Sequence, residues 1–223
     1  MRDVDDARLV EYLESENRYS DRWFADHGET VESIFGEIKS RVQETDQSTP
    51  VMNGGWWYVG STVEGLDYPL HHRGRTAETA SGQLLLDENV EAERVGATDY
   101  FDLGAFDANH DHTMFAWSTD IDGSERYRMR IRRFDDDGSH VDLGDVIDDV
   151  ANAGTAWSSD GQFLFYVRAD DQERPFQVWV HLLGTDADDD ALVFQEDDER
   201  FFVEIGETRS DEWIVLHSGS KTS

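Results

Sequence analysis

The chain has 223 residues, of which 38% are hydrophobic and 12% aromatic, so it can build a packed core and is not a disordered segment. Its 50 acidic and 19 basic residues give a formal net charge of -31, which argues against a nucleic-acid partner because that role needs a basic surface. The absence of cysteine excludes disulfides and thiolate sites. No apolar run approaches the ~18 residues of a membrane span and the first residues do not form a signal peptide, so we expect a soluble cytoplasmic protein with no membrane partner.

The acidic residues are spread along the whole chain. A local acidic tail would indicate a binding device. A uniform excess is instead typical of a surface that stays soluble in concentrated salt, where charge repulsion is screened. We therefore expect a halophilic source, and an acidic site for basic ligands is the compatible alternative.

Two amphipathic helices are predicted near the N-terminus. Apolar residues recur at helical spacing over residues 3–27 and 29–43. His27-Gly28 separates the two segments, and Thr30 is the predicted N-cap of the second helix. Because the other face of each helix is polar, both helices must pack on something. Residues 46–50 form a linker to the rest of the chain.

After the linker the pattern changes to short strands. Trp56–Gly60 and Tyr68–His72 predict a first hairpin, which is joined through Glu64-Gly65. Leu84–Leu86 predicts a further strand, and a new unit starts at Phe101–Gly104.

One pair of strands recurs along the chain. Its two clear copies are 113–117 with 128–131, and 162–167 with 177–182. Phe115 and Phe165 are 50 residues apart, and a further strand at 212–217, which should begin another blade, starts 50 residues after Gln162. A period of ~40–50 residues with several short strands is typical of a β-propeller blade. We predict a mainly β fold, a partial propeller of about three and a half blades, and hence a fragment of a larger protein, since propellers close with ~4–8 blades.

Three acidic clusters raise the question of calcium: Asp120–Gly123, Asp135–Gly138 and Asp188–Asp190. A helix-flanked calcium loop needs alternating oxygen ligands and a closing glutamate, and none of the three has that pattern. They stand where hairpin turns belong, and Asp-Gly is a preferred turn pair. We therefore interpret them as structural turns.

The histidines do not predict a metal site either. His71 and His72 are adjacent on a strand, so they point to opposite faces. His110 and His112 could share a face but flank a turn, and no His-Glu-x-x-His is present. No metal or cofactor is predicted.

No catalytic residue is predicted. Gly-x-Ser-x-Gly, the strand-turn-helix elbow that exposes a nucleophilic serine, is absent. Gly60-Ser61 and Gly219-Ser220 lack its spacing and a following helix. Without the elbow, no aspartate or histidine can be assigned to a triad.

Several segments resemble one family, in the right order from the first residues to the last. They are Tyr12–Tyr19, Ile38–Arg41 with Ser48–Pro50, Gln177–Thr185, and Asp198–Val203 continuing to Ser218–Ser223. The first two resemble the entry helix and the lead into the propeller of prolyl-oligopeptidase-type serine peptidases. The last two resemble the oligopeptidase B branch (protease II).

The resemblance implies a seven-bladed propeller that caps an α/β-hydrolase domain and restricts it to short peptides. Residues 1–48 would then be a helical segment that packs on the hydrolase domain, and residues 49–223 the partial propeller. In the family the catalytic serine, aspartate and histidine lie in the hydrolase domain, as do the carboxylates that select basic residues. No catalytic residue is therefore carried over, and the substrate-binding residues stay unknown. Oligopeptidase B relatives cleave after Arg or Lys, and prolyl oligopeptidases after Pro.

The alternative function is a stand-alone β-propeller that binds protein partners without enzymatic activity, like kelch or WD-repeat scaffolds. Those proteins have no matched pair of N-terminal helices. They also carry Gly-His or Trp-Asp blade signatures, which are missing here.

Overall fold

The computed structural model describes residues 6–135 and 137–221. The chain divides into two compact units, Met1–Asp46 and Gln47–Ser223. No helix among the described residues is long and apolar enough to cross a membrane.

The N-terminal unit contains the two predicted helices, α1 (Ala7–Asp26) and α2 (Gly28–Lys39). The Asp6 side chain caps α1 by accepting a backbone N–H of its first turn. Residues 3–5 of the prediction lie outside the described residues. The predicted N-cap Thr30 is wrong: α2 follows α1 so closely that the His27 carbonyl already accepts from the Thr30 N–H, 3.0 Å away.

Neither helix of this unit has a buried residue. The large apolar side chains that are more than a third exposed are Leu9, Val10, Tyr12, Leu13, Tyr19, Trp23, Phe24, Val31, Ile34, Phe35 and Ile38. Such a density of exposed apolar groups is typical of a surface that another structure covers.

The second unit is built from four antiparallel sheets that follow one another along the chain. The first sheet contains β1 (Asp46–Gln47), β2 (Val51–Asn53), β3 (Trp56–Thr62), β4 (Leu70–Gly74) and β5 (Gln83–Asp87). The second contains β6 (Asp102–Ala108), β7 (Met114–Asp120), β8 (Tyr127–Phe134) and β9 (His140–Val150). The third contains β10 (Thr155–Trp157), β11 (Phe163–Ala169), β12 (Pro175–Leu182) and β13 (Ala191–Gln195), and the fourth β14 (Phe201–Glu207) and β15 (Ile214–Ser220).

From β3 onward each sheet is a meander, in which strands that are consecutive in sequence are neighbours in space. The orders are β6-β7-β8-β9 and β10-β11-β12-β13 in the second and third sheets. In the first sheet β1 and β2 both pair with β3, so they share the place of one strand. Four-stranded meanders in succession are the blades of a β-propeller, as predicted.

The predicted strand pairs are confirmed in register. Ala116 lies opposite Ile131 in the β7–β8 pair, and Phe165 lies opposite Val180 in the β11–β12 pair. The predicted first hairpin corresponds to β3 and β4, and the predicted strand at Leu84–Leu86 to β5.

The fourth sheet differs from the prediction. β15 is not the strand that begins its blade, because β14 precedes it and pairs with it over the full length of both strands. The strand signal in β14 is an alternation in which Val203 and Ile205 are buried and Glu204 is exposed.

A third helix, α3 (Glu88–Val95), follows β5 and was not predicted. The Asp87 side chain accepts from the N–H groups of Asn89 and Val90, and Gly96 ends the helix with a φ of 76°. Both are ordinary helix-boundary signals.

The core of this unit lies between successive sheets, which pack face to face. Between the first and second sheets it contains Leu85, Phe115 and Phe134, between the second and third Ala116, Met129, Ile131, Trp157, Leu164 and Tyr166, and between the third and fourth Val167, Val178, Val203 and Ile205. The first strand of the third blade, β10, also contacts the first strands of the neighbouring blades, β6 and β14. They therefore line one common edge, the wall of the central channel of a propeller.

Candidate functional site: the channel wall

The first strands of three blades enclose a cavity of about 480 Å³. Its wall includes Asp107 from β6, Thr155 from β10, Glu207 from β14, and Arg209 and Asp211 from the loop that follows β14. Three of these five side chains are carboxylates, so the wall presents mainly negative charge.

Glycine at position 154 allows β10 to approach β14 closely. Gly154 has a φ of 92°, and a Cβ atom there would lie 1.9 Å from the carbonyl oxygen of Ile205. The same region is held by a hydrogen bond of 3.1 Å from the Ile205 N–H to the Ala153 carbonyl. This contact fixes the spacing between the strands that carry Thr155 and Glu207.

Hydrogen bonds between blades orient the two carboxylates of the strands. The Thr155 hydroxyl donates to Asp107 Oδ2, which links the third blade to the second. The backbone N–H of Trp157 donates to Glu207 Oε1. His110 Nε2 lies 2.9 Å from Glu207 Oε2 and donates to it.

The protein surroundings raise the pKa of Asp107. The main cause is removal of water from the carboxylate by the protein around it, but more than a third of the residue surface stays exposed to solvent, which keeps the rise small. The Thr155 hydrogen bond acts in the opposite direction, and the negative charge of Glu207 adds to the rise. A cation that enters the cavity therefore stabilises the ionised form of Asp107.

The histidines singled out in the sequence bind protein groups in different places. His71 Nε2 lies 2.6 Å from Glu88 Oε1, and the pKa of His72 is lowered by burial. His110 contacts Glu207, whereas His112 pairs with the Tyr58 hydroxyl through a hydrogen bond of 2.5 Å. Within the described residues no group of three potential ligands could hold a metal ion.

The first two acidic clusters lie at turns between strands, as predicted. Asp120 accepts from the N–H groups of Asp122, Gly123 and Glu125 at 2.9 to 3.1 Å. Asp137 accepts from the Ser139 N–H at 2.9 Å, while Asp136 lies outside the described residues. The third cluster overlaps a short 3-10 helix, Ala187–Asp189.

The two serines considered as nucleophiles lie within strands. Ser61 belongs to β3 and Ser220 to β15. Neither therefore occupies the strand-to-helix turn that exposes a catalytic serine.

The carboxylates of the channel wall were not identified from the sequence, although a signal exists. Asp107, Trp157 and Glu207 are spaced 50 residues apart, so they are equivalent positions of successive blades. Applying the repeat to the first strand of each blade would have placed two acidic residues on one wall.

Comparison with known proteins identifies the propeller. Residues 1–223 match the family model "Prolyl oligopeptidase, N-terminal beta-propeller domain". The chain is 32% identical to dipeptidyl aminopeptidase BI of Pseudoxanthomonas mexicana over 98% of its own length and 32% of that protein. It is 30% identical to Protease 2 of Moraxella lacunata over 100% of its length and 32% of that protein. The structure of oligopeptidase B from Leishmania major matches with a TM-score of 0.82 and 25% identity, over 98% of this chain and 30% of that one.

The fold and the family match together identify the second unit as the propeller of a peptidase family. The chain belongs to the prolyl oligopeptidase family of serine peptidases and is its N-terminal propeller portion. It spans about a third of the length of the curated relatives that it matches.

Proposed function

We propose that this chain is the propeller portion of a serine oligopeptidase that hydrolyses short peptides after Arg or Lys. The propeller controls which peptides reach the active site, and a Ser-His-Asp triad in an α/β-hydrolase domain carries out the hydrolysis. In this enzyme the exposed apolar faces of α1 and α2 pack on the hydrolase domain. Family membership supports the reaction class, and the likeness to oligopeptidase B and Protease 2 supports the choice of basic residues.

One observation in the structure supports a preference for basic peptides at the propeller, in addition to the selecting carboxylates that the family resemblance places in the hydrolase domain: the channel wall is acidic. Asp107, Glu207 and Asp211 face the cavity together with a single arginine, Arg209. A guanidinium or ammonium group gains charge-assisted hydrogen bonds from such carboxylates. Peptides that carry Arg or Lys are therefore favoured at the wall over neutral or acidic peptides of the same length.

The test uses the full-length enzyme that carries this propeller. We expect kcat/KM for fluorogenic peptides ending in Arg or Lys to exceed that for the matched Pro peptide. The double variant Asp107→Asn with Glu207→Gln should lower kcat/KM for the basic peptides several-fold and leave a short neutral ester substrate unchanged. Asp160→Asn is the matched control, since Asp160 is exposed in the turn before β11 and only caps local groups. Equal losses on basic and neutral substrates would count against an electrostatic role of the wall.

A second candidate activity is the removal of dipeptides from free N-termini. It is supported by the 32% identity to a protein named dipeptidyl aminopeptidase BI. Acetylation of the substrate N-terminus separates the two activities. An oligopeptidase cleaves the blocked peptide as well as the free one, whereas a dipeptidyl aminopeptidase needs the free amine.

A further inference from the structure

Strand β8 carries a row of arginines on one face. Arg128, Arg130 and Arg132 alternate with core residues, and they lie opposite Thr119, Trp117 and Phe115 of β7. Residues at alternate positions of a strand point to the same side. The face with the arginines is therefore the one that packs toward β5 and α3, where Trp117 Nε1 donates to Glu91 Oε1 at 3.1 Å.

The two outer arginines of the row have carboxylate partners on β9, and the middle one has none. Arg128 binds Asp148, and Arg132 Nε lies 2.5 Å from Asp142 Oδ1. The residue in register with Arg130 is Val146. Among the residues that the structure describes, Arg130 forms no ion pair, and its Nη1 atom is buried without a hydrogen-bond partner.

The nearby buried carboxylate is already occupied. Glu91, which is 2% exposed, accepts from Trp117 and from two nitrogens of Arg94. Burial lowers the pKa of Arg130, and the positive charge of Arg94 is the next largest cause of this decrease. A guanidinium nevertheless stays protonated in proteins. Arg130 is thus a charged, partly desolvated group whose Nη1 donor is unused, in a chain of net charge -31.

Arg130 lines a cavity of about 400 Å³ at the end of the second blade. The aspartates of this cavity are bound by their own donors: Asp120 and Asp122 by turn N–H groups, Asp148 by Arg128 and Asp149 by Arg126. These aspartates therefore do not bind Arg130, which can bind a ligand instead. Their negative charge disfavours a ligand that carries two negative charges.

We propose that this cavity is a binding site for a single carboxylate group, which Arg130 holds through its guanidinium group. The fork of a guanidinium matches a carboxylate in a bidentate arrangement. The carboxylate of a small organic acid and that of a peptide C-terminus have this chemistry in common. The proposal does not depend on the proposed peptidase activity.

The experiment follows the Nε and Cζ resonances of Arg130 in the 223-residue chain while sodium acetate replaces sodium chloride at constant ionic strength. We expect a saturable shift for Arg130 and none for Arg133, which lies three residues further along β8 and points to the other face. Acetate should also raise the melting temperature of the wild type and of Arg133→Gln, because a ligand of the folded state stabilises it. In Arg130→Gln the affinity for acetate should fall at least about tenfold.

Further ligands identify the source and the charge of the group. The site is assigned to peptide C-termini if a tripeptide with a free C-terminus binds more tightly than acetate and the same tripeptide with a C-terminal amide does not bind. It is assigned to small organic acids if acetate and the free tripeptide bind equally. Inorganic phosphate should bind more weakly than acetate. The proposal is overturned if Arg130 shows no saturable shift, if Arg130→Gln keeps the acetate effect, or if phosphate binds more tightly.

Discussion

At the scale of single residues, Asp107 is held in a place that disfavours its charge. Its pKa is raised in the folded protein, mainly by desolvation. For an acid, a raised pKa means that the folded state binds the proton more tightly than the unfolded state. Stability is therefore lost as the pH rises through the folded pKa, and solvent screening of the exposed carboxylate keeps this loss small.

Asp107→Asn should be more stable than the wild type at pH 7, because the amide keeps the hydrogen bond from Thr155 without the charge. The difference should shrink as the pH falls through the raised pKa of Asp107 and should vanish below the ordinary value of 3.8, where both states bind the proton. Melting temperatures at matched high salt between about pH 3 and pH 7 measure it. Asp160→Asn should behave in the opposite way, since hydrogen bonds from Ser158 and the Gln162 N–H lower the pKa of Asp160. A wild type that is the more stable at pH 7 would contradict the assignment for Asp107.

Another residue-scale feature is a buried histidine between two aspartates that joins the second and third blades. His181 on β12 lies 3.0 Å from Asp145 on β9 and 2.7 Å from Asp190, and all three side chains are at most 4% exposed. Asp145 also accepts the Gly184 N–H at 2.5 Å. These contacts satisfy every polar group of the cluster that would otherwise be buried alone.

Asp145→Ala should lower the free energy of unfolding by about 3 kcal/mol or more, because it leaves a buried imidazole nitrogen and an N–H unpaired. Asp148→Ala, three residues along β9, removes an exposed ion pair to Arg128 and should cost less than about 1 kcal/mol. Denaturant unfolding of both variants makes the comparison. Equal effects would show that the buried cluster adds nothing beyond a surface ion pair.

At the scale of secondary-structure elements, the approach of β10 to β14 depends on Gly154. Gly154→Ala should destabilise the second unit by at least about 2 kcal/mol, since its φ of 92° strains an alanine and its Cβ meets the Ile205 carbonyl at 1.9 Å. The control is Gly144→Ala on β9, where nothing lies within 4 Å and the effect should stay within about 0.5 kcal/mol. Thermal or chemical unfolding of the two variants measures this difference. Similar stability of Gly154→Ala and Gly144→Ala would contradict the close approach of β10 to β14.

The elements that could be predicted are those with a strong local pattern. The β7–β8 and β11–β12 pairs could be predicted because the same pair of strands, with apolar residues at strand spacing, recurs after 50 residues. The strand β14 was missed since only Val203 and Ile205 carry its alternation, between flanking acidic residues. Helix α3 was missed because its apolar face is narrow, although its capping residues Asp87 and Gly96 are ordinary.

The candidate sites could not be predicted because they join elements that are distant in sequence. Thr155 reaches Asp107 across 48 residues, and His110 reaches Glu207 across 97. The unpaired state of Arg130 follows from the register that puts Val146 opposite it, which the amino-acid pattern alone does not fix.

At the scale of the whole molecule, we expect the net charge of -31 to have the largest effect on stability. With 50 acidic and 19 basic residues, repulsion at low ionic strength should be severe. The Debye length falls from ~10 Å at ~0.1 M salt to ~3 Å at ~1 M, so screening should raise the melting temperature clearly between these conditions. We propose on this basis that the source is halophilic. A melting temperature that is unchanged, or higher at low salt, would contradict the proposal.

The central proposal is that the propeller portion controls access and that the hydrolase domain carries the catalytic serine. A peptidase assay on the 223-residue chain tests it most directly. The sequence contains no Gly-x-Ser-x-Gly, and both candidate serines lie inside strands. We therefore expect only background hydrolysis of fluorogenic peptides ending in Arg, Lys or Pro. Turnover that persists through purification and is blocked by a serine-reactive phosphonate would show that the propeller portion itself carries a nucleophile, and would contradict the account.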